Sequence, residues 1–215
     1  MNKSNVLKQI KEVGIIPVVR ATTADEAMRA IDAIREGGIS VLEITMTVPG
    51  AVGVIEQVAA RFGNDALVGA GTVLDAAKAK DCVSAGAKFI VSPALNMEMI
   101  AYCREQDVAV MPGALTPTEV VQAWNAGADL VKVFPAGAVG GASYLKALKA
   151  PLPHVELVPT GGVSLITAAD FISAGAAALG VGTDLVDIKA IREGQATLIT
   201  ERAKQFVEIV RISRG

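Results

Sequence analysis

Two side chains in this sequence stand where their chemistry is expensive: Lys132, inside Leu130-Val131-Lys132-Val133-Phe134-Pro135, and Glu43, inside Val41-Leu42-Glu43-Ile44-Thr45. Both runs have the length and β-branched content of strands buried on both faces. A buried ammonium or carboxylate is costly unless it is paired or neutral. A neutral amine is the nucleophile that condenses with a carbonyl to form a Schiff base. A neighbouring carboxyl group could move the protons that imine formation and carbon–carbon cleavage require, reaching through one water. The bland accounts are a lysine stem that carries its charge out to water and a buried Glu43–Lys132 ion pair that only satisfies both groups. The other lysines sit in helical or terminal polar settings, or, for Lys88, just ahead of a strand, so Lys132 is the exception.

The elements that must position this pair follow one repeated pattern of apolar strand, small or polar turn, helix and glycine. Strands are predicted over Ile15–Arg20, Val41–Met46, Leu67–Thr72, Phe89–Pro93, Ala109–Leu115, Leu130–Pro135, Val155–Gly162 and Ala178–Leu185, after a short amphipathic N-terminal helix. Helix starts are marked by Thr23-Ala24-Asp25-Glu26, read as a capping box, and by Thr116-Pro117-Thr118-Glu119, which adds proline at the first helical position. Gly37-Gly38, Gly86, Gly127 and Gly175 mark helix ends. Eight strand–helix units with right-handed crossovers predict a compact (β/α)8 barrel, the TIM-barrel architecture, as one domain over 1–215. Alternation then puts Lys132 and Phe134 on one face of their strand and Glu43 and Thr45 on one face of theirs, with Glu43 and Lys132 pointing into the barrel.

In such a barrel the active site lies at the C-terminal ends of the strands. Thr160-Gly161-Gly162-Val163-Ser164 and Gly180-Val181-Gly182-Thr183 put glycines at the ends of strands seven and eight, where backbone N–H groups can approach a phosphate. Glycines also serve tight turns, so the weight comes from finding two such sites on this pair of strands. Arg20 ends the first strand, where a guanidinium suits bidentate binding of a carboxylate. Together these parts describe a site for a 2-keto acid with a phosphate at its far end.

Composition narrows the alternatives. The 215 residues are 52% hydrophobic with a mean hydropathy of +0.46, yet no apolar run nears the roughly 20 residues of a membrane span. The first eight residues lack the apolar centre of a signal peptide, so a cytoplasmic location is expected. A net charge of -2 with scattered cations gives no footprint for nucleic acid. Cys82 and Cys103 fall in predicted helices without metal-ligand spacing and read as small buried hydrophobes. His154 is the only histidine, in a proline-rich connection, which excludes a site built on several histidines and disfavours a Ser-His-Asp triad.

Taken in order, Ile16-Pro17-Val18-Val19-Arg20, Leu42-Glu43-Ile44-Thr45, Gly69-Ala70-Gly71-Thr72, Val91-Ser92-Pro93, Met111-Pro112-Gly113, Val131-Lys132-Val133-Phe134-Pro135 and Pro159-Thr160-Gly161-Gly162 form a specific set. With it the chain resembles, essentially end to end, the 2-keto-3-deoxy-6-phosphogluconate and 4-hydroxy-2-oxoglutarate aldolases. The resemblance implies a homotrimeric class I aldolase on a small barrel, with no metal or cofactor, acting on 2-keto acid and aldehyde substrates. It implies Lys132 as the Schiff-base lysine and Glu43 as the general acid/base. Thr72 and an arginine would hold the pyruvate carboxylate, Pro93 and Phe134 would line the pocket, and Gly161, Gly162, Gly182 and Thr183 would take the phosphate. Thr160 stands where gluconate-type members carry threonine and galactonate-type members valine. The chain departs from the enteric branch at Thr47, where that branch has its carboxylate-binding arginine, so Arg20 inherits the role.

The same imine chemistry on 4-hydroxy-2-oxoglutarate or on the galactonate isomer is the near alternative. A phosphosugar isomerase or epimerase would share the phosphate loops without needing Lys132, and a non-catalytic phosphate-binding barrel would leave Glu43 unexplained.

Overall fold

In the computed structural model, which describes residues 1–215, nine parallel strand segments form the centre of the molecule. They are β1 (Ile15–Val19), β2 (Val41–Thr45), β3 (Leu67–Gly71), β4 (Phe89–Val91), β5 (Ala109–Met111), β6 (Gly113–Ala114), β7 (Val131–Val133), β8 (Leu157–Pro159) and β9 (Leu179–Val181). One sheet runs β5-β4-β3-β2-β1-β9 and the other β6-β7-β8. β5 and β6 are the halves of the predicted fifth strand. Pro112 between them has no N–H to give the ladder, and the halves pair with different neighbours, β5 with β4 and β6 with β7. Bridges at Leu157–Ala176 and Thr160–Gly180 join β8 to β9. The two sheets thereby close into a (β/α)8 barrel.

The helices are α1 (Lys3–Val13), α2 (Ala24–Glu36), α3 (Ala51–Phe62), α4 (Ala76–Ser84), α5 (Met97–Glu105), α6 (Pro117–Asn125), α7 (Gly141–Lys149), α8 (Ala168–Ser173), α9 (Ile188–Arg192) and α10 (Thr197–Arg214). Several predicted strands overrun the observed ones at their C-terminal ends. The reason at β8 is local: Gly161 and Gly162 take φ of 85° and 76°, which ends extended structure and starts the loop. Thr116 and Glu119 close the expected capping box at the start of α6. The box expected at Thr23 closes only by half. Thr23 Oγ1 accepts from the Glu26 N–H at 3.1 Å, but the Glu26 carboxylate goes to Thr22 and Arg192 instead. Gly38, Gly86, Gly127 and Gly175 all adopt left-handed backbone after their helices, whereas Gly37 stays right-handed at φ -75°.

Alternation along the strands divides the core in two. Residues such as Ile15, Val19, Leu42, Ile44, Val131 and Val133 face outward into one large apolar layer beneath the helices. Ile16, Val41, Leu67, Phe89, Ala109, Met111, Leu130, Val158 and Ala178 face inward and pack with Val6 and Ile10 of α1. α1 thus plugs the N-terminal end of the barrel. Its start is capped by Asn2, whose side chain accepts from the Asn5 N–H at 2.9 Å, and Gly14 ends it at φ 70°. No helix is long and apolar enough to cross a membrane.

Candidate active site

Above that apolar plug the barrel interior turns polar. Glu43 and Lys132 point inward from β2 and β7, with side chains only 3% and 4% exposed. Their Glu43 Oε1 and Lys132 Nζ atoms lie 3.9 Å apart, too far for a hydrogen bond and close enough for one water or substrate oxygen to touch both. Glu43 Oε1 is buried without any hydrogen-bond partner. An unpaired buried acceptor of this kind costs about 1–3 kcal/mol, so the pair is poorly arranged for mutual satisfaction. Lys132 Nζ also sits 5.5 Å from the centroid of the Phe134 ring, on the same face of the chain.

Small residues make the room. Gly71 ends β3 beside Glu43, and a β-carbon on Gly71 would overlap the Glu43 carboxylate. Gly113, in register with Lys132 across β6 and β7, lies against the Pro93–Ala94 backbone, where a β-carbon would clash equally. Lys132 N–H donates to the Pro112 carbonyl at 3.0 Å, so the break in the fifth strand is part of the lysine's immediate support. Next to Gly71, Thr72 has φ 57°, a left-handed backbone that is rare for a β-branched residue and that persists where its surroundings hold it. Thr72, Pro93 and Phe134 are half-buried at the ends of their strands, on the same rim. Thr47 is exposed and shares a 2.6 Å hydroxyl–hydroxyl bond with Thr45, whose Oγ1 is also 3.1 Å from the Val19 carbonyl.

Across the rim, a hollow of about 70 Å³ is lined by Val18, Arg20, Thr160, Gly161, Gly162, Val163, Gly182, Thr183 and Asp184. The N–H groups of Gly162, Gly182 and Thr183, residues that line this concavity with Arg20, make no hydrogen bond within the chain and are free to donate to an anion. Arg20, at the end of β1, thus lines the same hollow as the two glycine loops. Asp184 also lines the edge of the same hollow. The wall on the β7 side is fixed by backbone contact: Ala136 and Gly137 N–H donate to the Thr160 and Gly161 carbonyls, both at 2.9 Å. Thr160 is itself buried, and a β-carbon on Gly180 would overlap its hydroxyl.

Three features of the site escaped sequence reasoning. The role of Gly71 as space for a carboxylate, the presence of Asp184, and the link from Glu26 to Arg192 all depend on side-chain courses between distant elements. Only the Thr-x-x-Glu spacing at Thr23 carried a signal, and it pointed to a local cap. The two cysteines lie buried in α4 and α5, where burial pushes the Cys82 thiol up to about 11 and the Cys103 thiol up to about 12. His154 is exposed and meets the edge of the Trp124 ring, with centroids 6.1 Å apart.

Comparison with known proteins bears on this geometry. The family model described as KDPG and KHG aldolase matches residues 6–202. A 2-dehydro-3-deoxy-phosphogluconate aldolase of Treponema pallidum is 33% identical over 208 residues, covering 95% of this chain and 97% of its own. A 2-dehydro-3-deoxy-6-phosphogalactonate aldolase of Escherichia coli is 35% identical over 199 residues, covering 92% and 94%. Among solved structures, a KDPG aldolase from Legionella pneumophila, with pyruvate captured as a covalent carbinolamine intermediate, superposes with a TM-score of 0.85 at 31% identity. That alignment covers 95% of this chain and 97% of the other.

Proposed function

The chain belongs to the KDPG and KHG aldolase family, and from that premise we propose that it reversibly cleaves 2-keto-3-deoxy-6-phosphogluconate to pyruvate and glyceraldehyde 3-phosphate. It is a carbon–carbon lyase of the Schiff-base class. The observation that carries the reading is the buried Lys132–Glu43 pair, 3.9 Å apart, with one carboxylate oxygen unpaired. The Lys132 amine adds to the C2 carbonyl, and the carbinolamine loses water to give an iminium. Glu43, through a water, takes the proton of the C4 hydroxyl as the C3–C4 bond breaks. The aldehyde departs, and the electron pair of that bond moves into an enamine. Glu43 then returns its proton to C3, and water hydrolyses the imine to release pyruvate and the free amine.

Thr72 and the rim beside it serve the carboxylate end in this reading, with Pro93 and Phe134 lining the keto-acid pocket. Gly161, Gly162, Gly182 and Thr183 serve the phosphate. Arg20, expected at the carboxylate, ends β1 on the same rim and also lines the hollow with the glycine loops. Thr160 favours the gluconate configuration. Asp184 at the edge of the hollow suits a singly charged carboxylate at the substrate's far end better than a doubly charged phosphate, which favours 4-hydroxy-2-oxoglutarate as a second substrate. A homotrimer at work in the cytoplasm accords with the family resemblance.

The test is borohydride reduction in the presence of pyruvate, followed by mass spectrometry of the native chain and of Lys132→Met. A pyruvate-sized adduct on Lys132, absent from the variant, is expected. A native chain that gains no adduct would overturn the imine mechanism and favour an isomerase using the same loops.

A further inference from the structure

The two Thr-x-x-Glu sequences begin alike and end differently. At Thr116 the glutamate folds back on its own cap, with Glu119 Oε2 accepting from the Leu115 and Thr116 N–H groups, both at 2.8 Å. At Thr23 the corresponding carboxylate is drawn into a three-residue knot. Glu26 Oε2 accepts from the Thr22 N–H at 3.0 Å and the Thr22 hydroxyl at 2.8 Å. Glu26 Oε1 accepts from Arg192 Nε at 2.7 Å, while Arg192 Nη2 donates to Thr22 Oγ1 at 2.7 Å and to Glu26 Oε2 at 3.3 Å. Arg29 of α2 adds a donor to the Ile191 carbonyl at 2.7 Å. One end of the knot is the loop after β1, two residues beyond Arg20; the other is α9, just beyond the loop that carries Gly182, Thr183 and Asp184.

These two loops, which follow the neighbouring strands β1 and β9, both line the 70 Å³ hollow. The Arg20 side chain is exposed and has no ion-pair partner, so the course of its loop decides where the guanidinium lies. An exposed ion pair contributes little to stability by itself. A forked arginine closing a hydrogen-bonded triangle contributes something else, which is a fixed loop before the ligand arrives.

We infer that Glu26, Thr22 and Arg192 form a positioning clamp that holds the loop after β1 against the loop that carries Gly182 and Thr183, and so fixes the shape of the hollow that takes the substrate's phosphate. The inference rests on the phosphate reading of the hollow given above. The clamp touches neither Lys132 nor Glu43, so its loss should be felt by phosphorylated ligands before imine chemistry. A purely structural staple between α2 and α9 would instead affect all ligands alike.

The experiment uses the full chain with Arg192→Met, Arg192→Lys and Glu26→Gln. It compares the KM for the phosphorylated keto acid, the inhibition constant of inorganic phosphate, and the rate of pyruvate C3 proton exchange in heavy water. Relative to the exchange rate, Arg192→Met and Glu26→Gln should raise the KM and weaken phosphate inhibition about three- to tenfold, the scale of ordering a loop on binding. Arg192→Lys, which keeps the charge but not the fork, should recover part of the loss. A native chain that phosphate inhibits and an Arg192→Met variant that it inhibits equally would overturn the clamp alone. A native chain indifferent to phosphate would overturn the phosphate reading and the clamp with it. A proportionate fall in proton exchange in all three variants would overturn positioning in favour of a structural staple.

Discussion

The lower and upper halves of the barrel interior are both buried, yet they are built to opposite ends. Below, Phe89, Met111, Leu130 and the α1 residues Val6 and Ile10 fill the space with apolar side chains. Above, Glu43 and Lys132 occupy equally buried positions with a carboxylate oxygen left unpaired. A single strand, β3, serves both halves through glycine. A β-carbon on Gly69 would overlap the Phe89 ring, and one on Gly71 would overlap the Glu43 carboxylate. The lower glycine admits packing and the upper one admits a charge. Burial thus stabilises at one end, and at the other it supplies the water-poor setting in which an amine and a carboxyl can exchange protons.

The contrast can be broken from either end. Glu43→Gln should lower turnover by about 10²- to 10⁴-fold, the usual worth of a general acid/base, without lowering the melting temperature, because the group it replaces has an unpaired buried oxygen. A thermal scan beside a steady-state assay checks both halves of that statement. Gly71→Ala pushes the carboxylate off its place and should cost on the order of 10²-fold in proton exchange at pyruvate C3. Borohydride trapping on Lys132 should survive in the same variant, and a parallel loss of trapping would count against Gly71 acting through Glu43. Below, Phe89→Ala should destabilise by about 3–5 kcal/mol in denaturant titration while leaving the turnover of the folded fraction close to native. Asp184→Asn removes one negative charge from the edge of the hollow and should tighten the KM for the phosphorylated substrate by about two- to fivefold at low salt, an effect that added salt should shrink. If the KM for an unphosphorylated substrate tightens as much, the hollow is not a phosphate site.

Much of this was legible in the order of residues. Strict alternation carried the inward direction of Lys132 and Glu43, because a strand's side-chain period is two and both neighbours of each residue are apolar. Glycines after helices marked Gly38, Gly86, Gly127 and Gly175 correctly, since each stands where only a left-handed backbone lets the chain turn. What the pattern could not carry was anything that depends on elements far apart in the chain. The break of the fifth strand at Pro112 follows from which neighbour each half meets. The diversion of Glu26 to Arg192 over 166 residues of chain follows from the closure of the barrel. Local propensity favours a capping box at Thr23, and the stronger charge-assisted partner prevails because the fold brings it within reach. The Glu26 carboxyl is held down to about 2, chiefly by Arg192, from an ordinary value of 4.5, so the stabilisation it gives is present above pH 4.5 and fades as the pH falls toward 2.

The plug made by α1 also governs traffic. With the lower end sealed by Val6, Ile10 and the apolar residues around them, the interior is a well with one mouth, and Lys132 stands below the rim where Thr160 and the glycine loops begin. Whatever is bonded to the lysine is therefore the deeper passenger. In cleavage the aldehyde leaves first and pyruvate last; in synthesis pyruvate must enter first, and an aldehyde arriving early would only stand in the doorway.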